Sequence, residues 1–237
     1  MVRFTLFGVP VEIQPWFWLG AAMLSGAFSG NPTREEFLLS LLFIIAATIS
    51  ILVHEFGHAL VGRRLGGGRA NIVLWALGGL AYNEGGRFTR SGRFWMIAAG
   101  PGAGFALFAL VFLILAVAFG PQDAMVFTAF ELFHVRSQGI SPRMMDFLTN
   151  NFPFMKLTGD FLWINFWWGI LNLLPVLPLD GGRITELYVK PQKRVYQIAV
   201  VTAAAMVAFA LFRGSLYMAF FFGFLAYQNY KEIDTYR

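Results

Sequence analysis

The sequence predicts an all-α, polytopic membrane protein of about six transmembrane helices, with a re-entrant β-hairpin after the second. Three observations predict it. Hydrophobic residues fill 57% of the 237 positions and charged residues only 13%, roughly half the ~25% charge of a soluble domain, and the mean hydropathy is +0.62. Six apolar segments follow one another along the chain. Basic residues flank those segments instead of forming one continuous stripe, so the net charge of +5 points to anionic lipid and bilayer orientation, not to nucleic acid.

The segments run Trp16–Ser29, Phe37–Gly62, Phe94–Phe119, Phe161–Leu179, Val195–Phe212 and Leu216–Tyr230. The first and last are short against the ~20 residues a perpendicular crossing needs, so their flanks must extend them or they insert only in part. Ahead of the first, Arg3 precedes a polar-interrupted stretch, Gly8 to Pro15, with no small-residue cleavage site. A removable signal is therefore not expected. Between the second and third, Ile72–Tyr82 with Gly78 and Gly79 is read as the hairpin. Its edge is expected to pair with an unwound substrate strand, which makes these two glycines candidate substrate-binding positions. Gly100-Pro101-Gly102-Ala103-Gly104 carries a Gly-x-x-x-Gly spacing that suits close helix packing. The long connection Gly120–Asp160 is expected to hold a surface helix around Pro142–Asn151. The 27 Phe, 7 Trp and 7 Tyr suit lipid-facing surfaces and interfacial belts.

Six crossings place both termini on one side. Thirteen Lys and Arg fall on that side, in the N-terminal flank, the loops Arg63–Arg93 and Asp180–Arg194, and the tail. Five fall opposite: Arg34, Arg136, Arg143, Lys156 and Arg213. The positive-inside bias then assigns the termini and these loops to the cytosol.

The most specific motif is His54-Glu55-Phe56-Gly57-His58 in the second segment. Residues four apart project from one helix face, so both imidazoles can meet one ion, and Glu55 stands beside them as a candidate base for an attacking water. At 1.5 Å per residue, His58 lies about 6 Å and His54 about 12 Å from the segment's cytosolic end. Ionisable groups at such depth are costly and mark function. The chain has no cysteine, so any ion must be held by nitrogen and oxygen. Two histidines leave a tetrahedral site one protein ligand short. Asp180, in Asn172-Leu173-Leu174-Pro175-Val176-Leu177-Pro178-Leu179-Asp180-Gly181-Gly182, is the best third candidate. It falls on the same side, Pro175 and Pro178 interrupt the helix, and Gly181 and Gly182 are expected to permit a sharp turn. His134, the third histidine, is read as an ordinary surface residue.

With both motifs in that order, the chain resembles the site-2 proteases, a family of intramembrane zinc metalloproteases. The looser likeness extends from Phe7-Gly8-Val9-Pro10 through Trp75–Asn83 to Ala99-Gly100-Pro101. The resemblance implies one Zn2+ held by His54, His58 and Asp180, Glu55 as general base, and Asn172 as a group positioning substrate or the developing oxyanion. Gly104 departs from an asparagine common in the family. The resemblance also implies a transmembrane protein as substrate, cut in or near its membrane segment in regulated intramembrane proteolysis. It fits a single membrane domain over 1–237 with its catalytic core near 37–182 and no PDZ-like or CBS-like domain. Two alternatives remain open. A proteolytically inactive partner-binding homologue is disfavoured by the intact Glu55, and a metal or solute transporter by the absence of a repeat relating residues 1–119 to 120–237.

Overall fold

The structure, a computed structural model, describes residues 1–28, 30, 33–76, 78–135 and 139–235. Ser29, Leu77, Arg136 and Arg237, used above for the span limits, the hairpin and the charge comparison, lie outside the described residues. The chain is mostly helical, but it also contains a four-stranded sheet, two of whose strands lie outside the expected hairpin.

Strands β1 (Val2–Leu6) and β2 (Val9–Ile13) form an antiparallel hairpin, and helix α1 (Pro15–Leu24) follows with its proline in the first turn. Helix α2 (Arg34–Gly66) begins at a reciprocal cap, in which Glu36 N–H donates to Thr33 Oγ1 and Thr33 N–H donates to Glu36 Oε2. Strands β3 (Arg69–Trp75) and β4 (Gly78–Glu84) pair antiparallel, and β3 also pairs in parallel with β2. The sheet order is therefore β1-β2-β3-β4, with β4 at an edge.

Alternate residues Val9, Val11, Ile13, Ala70, Ile72 and Leu74 are buried and pack with Ile51, Phe56 and Ala59 of α2. The period-two pattern of β2 and β3 thus lays one face of the sheet on the helix turn that carries the histidines.

Helix α3 (Arg90–Phe119) crosses back beside α2. The expected long loop from Gly120 to Asp160 is largely helical instead: α4 (Pro121–Phe133), α5 (Pro142–Asn150) and the first turns of α6 (Phe152–Asn172). Helix α5 corresponds to the surface helix expected around Pro142–Asn151. The fourth apolar segment is helical only to Asn172; Leu173–Leu179 then form an irregular turn before α7 (Asp180–Tyr188). Helices α8 (Gln192–Phe212) and α9 (Leu216–Asp234) pack on that turn through Val176, Ala203, Phe222 and Leu225.

Among the described residues, α2, α3 and α8 are long and apolar enough to cross a membrane, and α1 is a shorter apolar helix. Helix α6 falls short because Lys156, Asp160, Asn165 and Asn172 interrupt its apolar run.

Candidate metal centre

Close approach of α2 and α3 sets the position of the two histidines. A Cβ on Gly57 would lie 2.2 Å from the Ala99 carbonyl oxygen, and one on Gly100 would lie 2.1 Å from His58 Nε2. Neither position accommodates a side chain, so the α3 backbone runs directly beneath the His58 ring. Gly100, read from sequence as helix packing alone, therefore also makes room for an imidazole. His58 Nδ1–H donates to the Met96 carbonyl oxygen at 2.9 Å. That bond fixes the tautomer and leaves Nε2 free to act as a donor atom.

Asp180 comes from the other side, as the first residue of α7. Gly181 and Gly182 do not make the turn expected of them: both lie inside α7. A Cβ on Gly181 would lie 2.1 Å from the Leu173 carbonyl oxygen, and one on Gly182 would lie 2.5 Å from the Val176 carbonyl carbon. The missing side chains let the first turn of α7 press on the 173–177 backbone and carry Asp180 inward.

His54 Nε2 lies 3.1 Å from Asp180 Oδ2, His58 Nε2 lies 3.2 Å from the same oxygen, and the two Nε2 atoms are 3.1 Å apart. His54 and Asp180 are 3% and 5% exposed. Three inward donor atoms this close repel unless a proton or cation lies among them. A tetrahedral zinc with ligands about 2.0–2.1 Å away separates neighbouring donors by roughly 3.3–3.4 Å, so the observed triangle matches that size closely.

Glu55 is buried beside the triangle and faces the sheet. A Cβ on Gly79 would lie 2.4 Å from Glu55 Cγ and Oε1, so the β4 edge lies against this carboxylate. Gly78 opens β4 at φ +127, a conformation L side chains rarely adopt, beneath Trp168. Asn172 ends α6, 8% exposed, and donates from Nδ2 to the Trp168 carbonyl oxygen at 2.9 Å. Gly104 faces Asn165, whose Nδ2 donates to Ser50 Oγ at 2.9 Å. His134 lies at the end of α4, outside this cluster.

Sequence reasoning missed Asn229 on α9, which donates to the carbonyl oxygens of Leu177 at 2.7 Å and Leu225 at 2.8 Å. Only its place as the last polar residue in an apolar run could have drawn notice to it.

Residues 42–213 match Peptidase family M50. The chain belongs to this peptidase family. It is similar to Rip3 of Mycobacterium tuberculosis, 31% identical over 182 residues that cover 77% of this chain and 39% of that protein. A zinc metalloprotease of Methanocaldococcus jannaschii is 25% identical over 216 residues, covering 88% of this chain and 53% of its own. The chain thus spans between about two fifths and half of the curated relatives it matches. In fold, it is similar to the site-2 protease from Methanocaldococcus jannaschii, with a TM-score of 0.56 and 21% identity over 98% of this chain and 94% of that one. The M50 family implies zinc, and the donor set of His54, His58 and Asp180 suits it.

Proposed function

We propose that this M50 chain is an intramembrane zinc metalloprotease that hydrolyses peptide bonds in or near the transmembrane segments of membrane-anchored proteins, as in regulated intramembrane proteolysis. The observation that carries the reading is the convergence of His54 Nε2, His58 Nε2 and Asp180 Oδ2 within 3.2 Å, with Glu55 buried between this triangle and the sheet edge.

In this reading His54, His58 and Asp180 hold one zinc ion, which when bound makes an attacking water acidic and polarises the scissile carbonyl. Glu55 accepts the proton of that water on its carboxylate and returns it to the leaving amine. The β4 edge orients an unwound substrate strand alongside Glu55, with Gly78 and Gly79 letting the strand approach. Unwinding is required because a helix hides its carbonyls in internal hydrogen bonds. Asn172 uses one amide hydrogen on Trp168 and offers the other to the substrate carbonyl. His54 is buried and His58 partly buried, which limits bulk water at the reacting centre.

The membrane arrangement in this reading has α1, α2, α3, α6, α8 and α9 as six passes of one domain. The hairpin of β3 and β4 is re-entrant, and the termini and the nearer end of the metal centre face the cytosol, as the Lys and Arg bias favours.

The test compares membrane proteomes of cells carrying the wild type and Glu55→Gln. Fragments present only with the wild type are expected, and purified Glu55→Gln should retain zinc while cutting nothing. His54→Ala should lose both. Normal turnover by Glu55→Gln would falsify the mechanism.

A further inference from the structure

A cavity of about 660 Å³ lies among α1, α2, α6 and α9, within the size range of ligand sites. One end reaches Ile51 and Gly78, next to the metal centre. That end is apolar, lined by Trp168, Leu171 and their neighbours.

The other end is charged. Glu131 of α4 and Asp160 of α6 both line it, with Lys156 and Glu36. Gly159 brings the two carboxylates together: a Cβ there would lie 2.6 Å from Glu131 Cδ, so Glu131 rests on the α6 backbone one residue before Asp160. Asp160 is 4% exposed. Lys156 pairs with its Oδ1, one helical turn away. Among the described residues, its Oδ2 is buried and has no hydrogen-bond partner. A buried carboxylate oxygen left unsatisfied costs on the order of 1–3 kcal/mol, more for a charged group, so this oxygen is poised for a donor that comes from outside the fold. Among the described residues this end holds Glu131 and Asp160 beside Lys156 and His134, with Glu36 engaged at the Thr33 cap, and a carboxylate oxygen accepts best from a cationic donor.

We propose that this end of the cavity is a subsite for a lysine or arginine side chain of the membrane-embedded protein substrate, held by Glu131 and Asp160. The proposal rests on the protease reading and extends it to substrate choice. Along α6, Asp160 lies 12 residues before Asn172, which is about 18 Å at 1.5 Å per residue. A cationic residue about five positions from the scissile bond in an extended strand, or about twelve in a helix, spans that distance. Substrates would then be measured by the separation of a basic residue from the cut.

The test uses the full chain in phosphatidylcholine nanodiscs. The probes are dansyl-labelled apolar peptides of about 20 residues carrying one lysine, norleucine or glutamate, read by energy transfer from protein tryptophans. The lysine peptide is expected to bind about tenfold more tightly than the norleucine peptide, and the glutamate peptide more weakly than both. The combined Glu131→Gln and Asp160→Asn variant should bring the lysine preference to about one, while zinc content stays the same. Lys156→Met, which frees Asp160 from its partner, should raise the preference and covers the case in which the double variant fails to fold. Equal binding of lysine and norleucine peptides by the wild type overturns the proposal, as does a preference that survives in the double variant. A preference that disappears when phosphatidylethanolamine replaces phosphatidylcholine overturns it too, since a lipid amine would then be the occupant. Because binding is read apart from cleavage, a protein with the preference that cuts nothing fails only the protease reading. One that cuts membrane proteins without the preference fails only this inference.

Discussion

Asn229 Nδ2 donates to the Leu177 carbonyl oxygen at 2.7 Å, joining the last helix to the turn that ends at Asp180. The contact spans 52 positions and stands only three residues before a proposed metal ligand. Through it, α9 holds the backbone that leads into Asp180. Replacing Asn229 by leucine leaves the part-buried Leu177 carbonyl without this donor, at a cost toward the lower end of ~1–3 kcal/mol. Outer-shell losses of this kind weaken metal binding by about 10–100-fold. We expect zinc affinity to fall within that range in a chelator competition titration, with the helical content unchanged. An affinity equal to the wild type would mean that Leu177 has no hold on the ligand.

Gly79→Ala tests the contact between the sheet edge and the proposed base. The added methyl would lie 2.4 Å from Glu55 Cγ, so the carboxylate or the strand must shift. Cleavage should fall by roughly 100-fold, the scale of a 1 Å misplacement at a reacting centre. Zinc content should stay at one per chain. Loss of zinc together with activity would show that the strand supports the ligands and not the base.

Gly100→Ala should have the opposite signature. Its methyl would fall 2.1 Å from His58 Nε2 and push the ring away from Asp180. Zinc is expected to leave, with cleavage lost as a consequence. Elemental analysis of the purified variant decides this directly; bound zinc with the wild-type affinity would contradict the placement of His58.

Metal removal should also lower stability. An ion that binds only the folded chain contributes about 4 kcal/mol when present at 1,000 times its dissociation constant. Chelation should therefore lower the melting temperature, and added zinc should restore it. His54→Ala should melt at one temperature with or without zinc. A wild type indifferent to chelator would mean that the triangle holds no ion.

The two metal-side motifs were legible because each obeys a local rule. His54 and His58 share a face by helix periodicity alone, and Asp180 stands out because two prolines and two glycines surround it in an apolar run. The role of those glycines was not legible: whether Gly181 turns the chain or lets α7 press on Leu173 depends on what lies opposite. Gly79 and Gly100 show the same limit, since the side chains that fill their missing volume, Glu55 and His58, are distant in sequence. Strands β1 and β2 escaped notice for a different reason. The alternation of β2 becomes meaningful only once β3, some sixty residues later, supplies a partner, and β1, exposed at all five positions, pairs only with β2. Helix α4 is not legible as a span, because it is short and carries Asp123 and Glu131.

The parallel pairing of Val11 with Ile72 also sets an order of events during synthesis. At roughly 5–20 residues per second, about 3–12 s pass between the making of β2 and the arrival of its partner strand. During that interval the N-terminal hairpin carries an open edge, and both α1 and α2 are made before it can close. The sheet that presents Gly79 to Glu55 thus forms only after the helix bearing both histidines has been made, while Asp180, about a hundred residues further along, completes the triangle last.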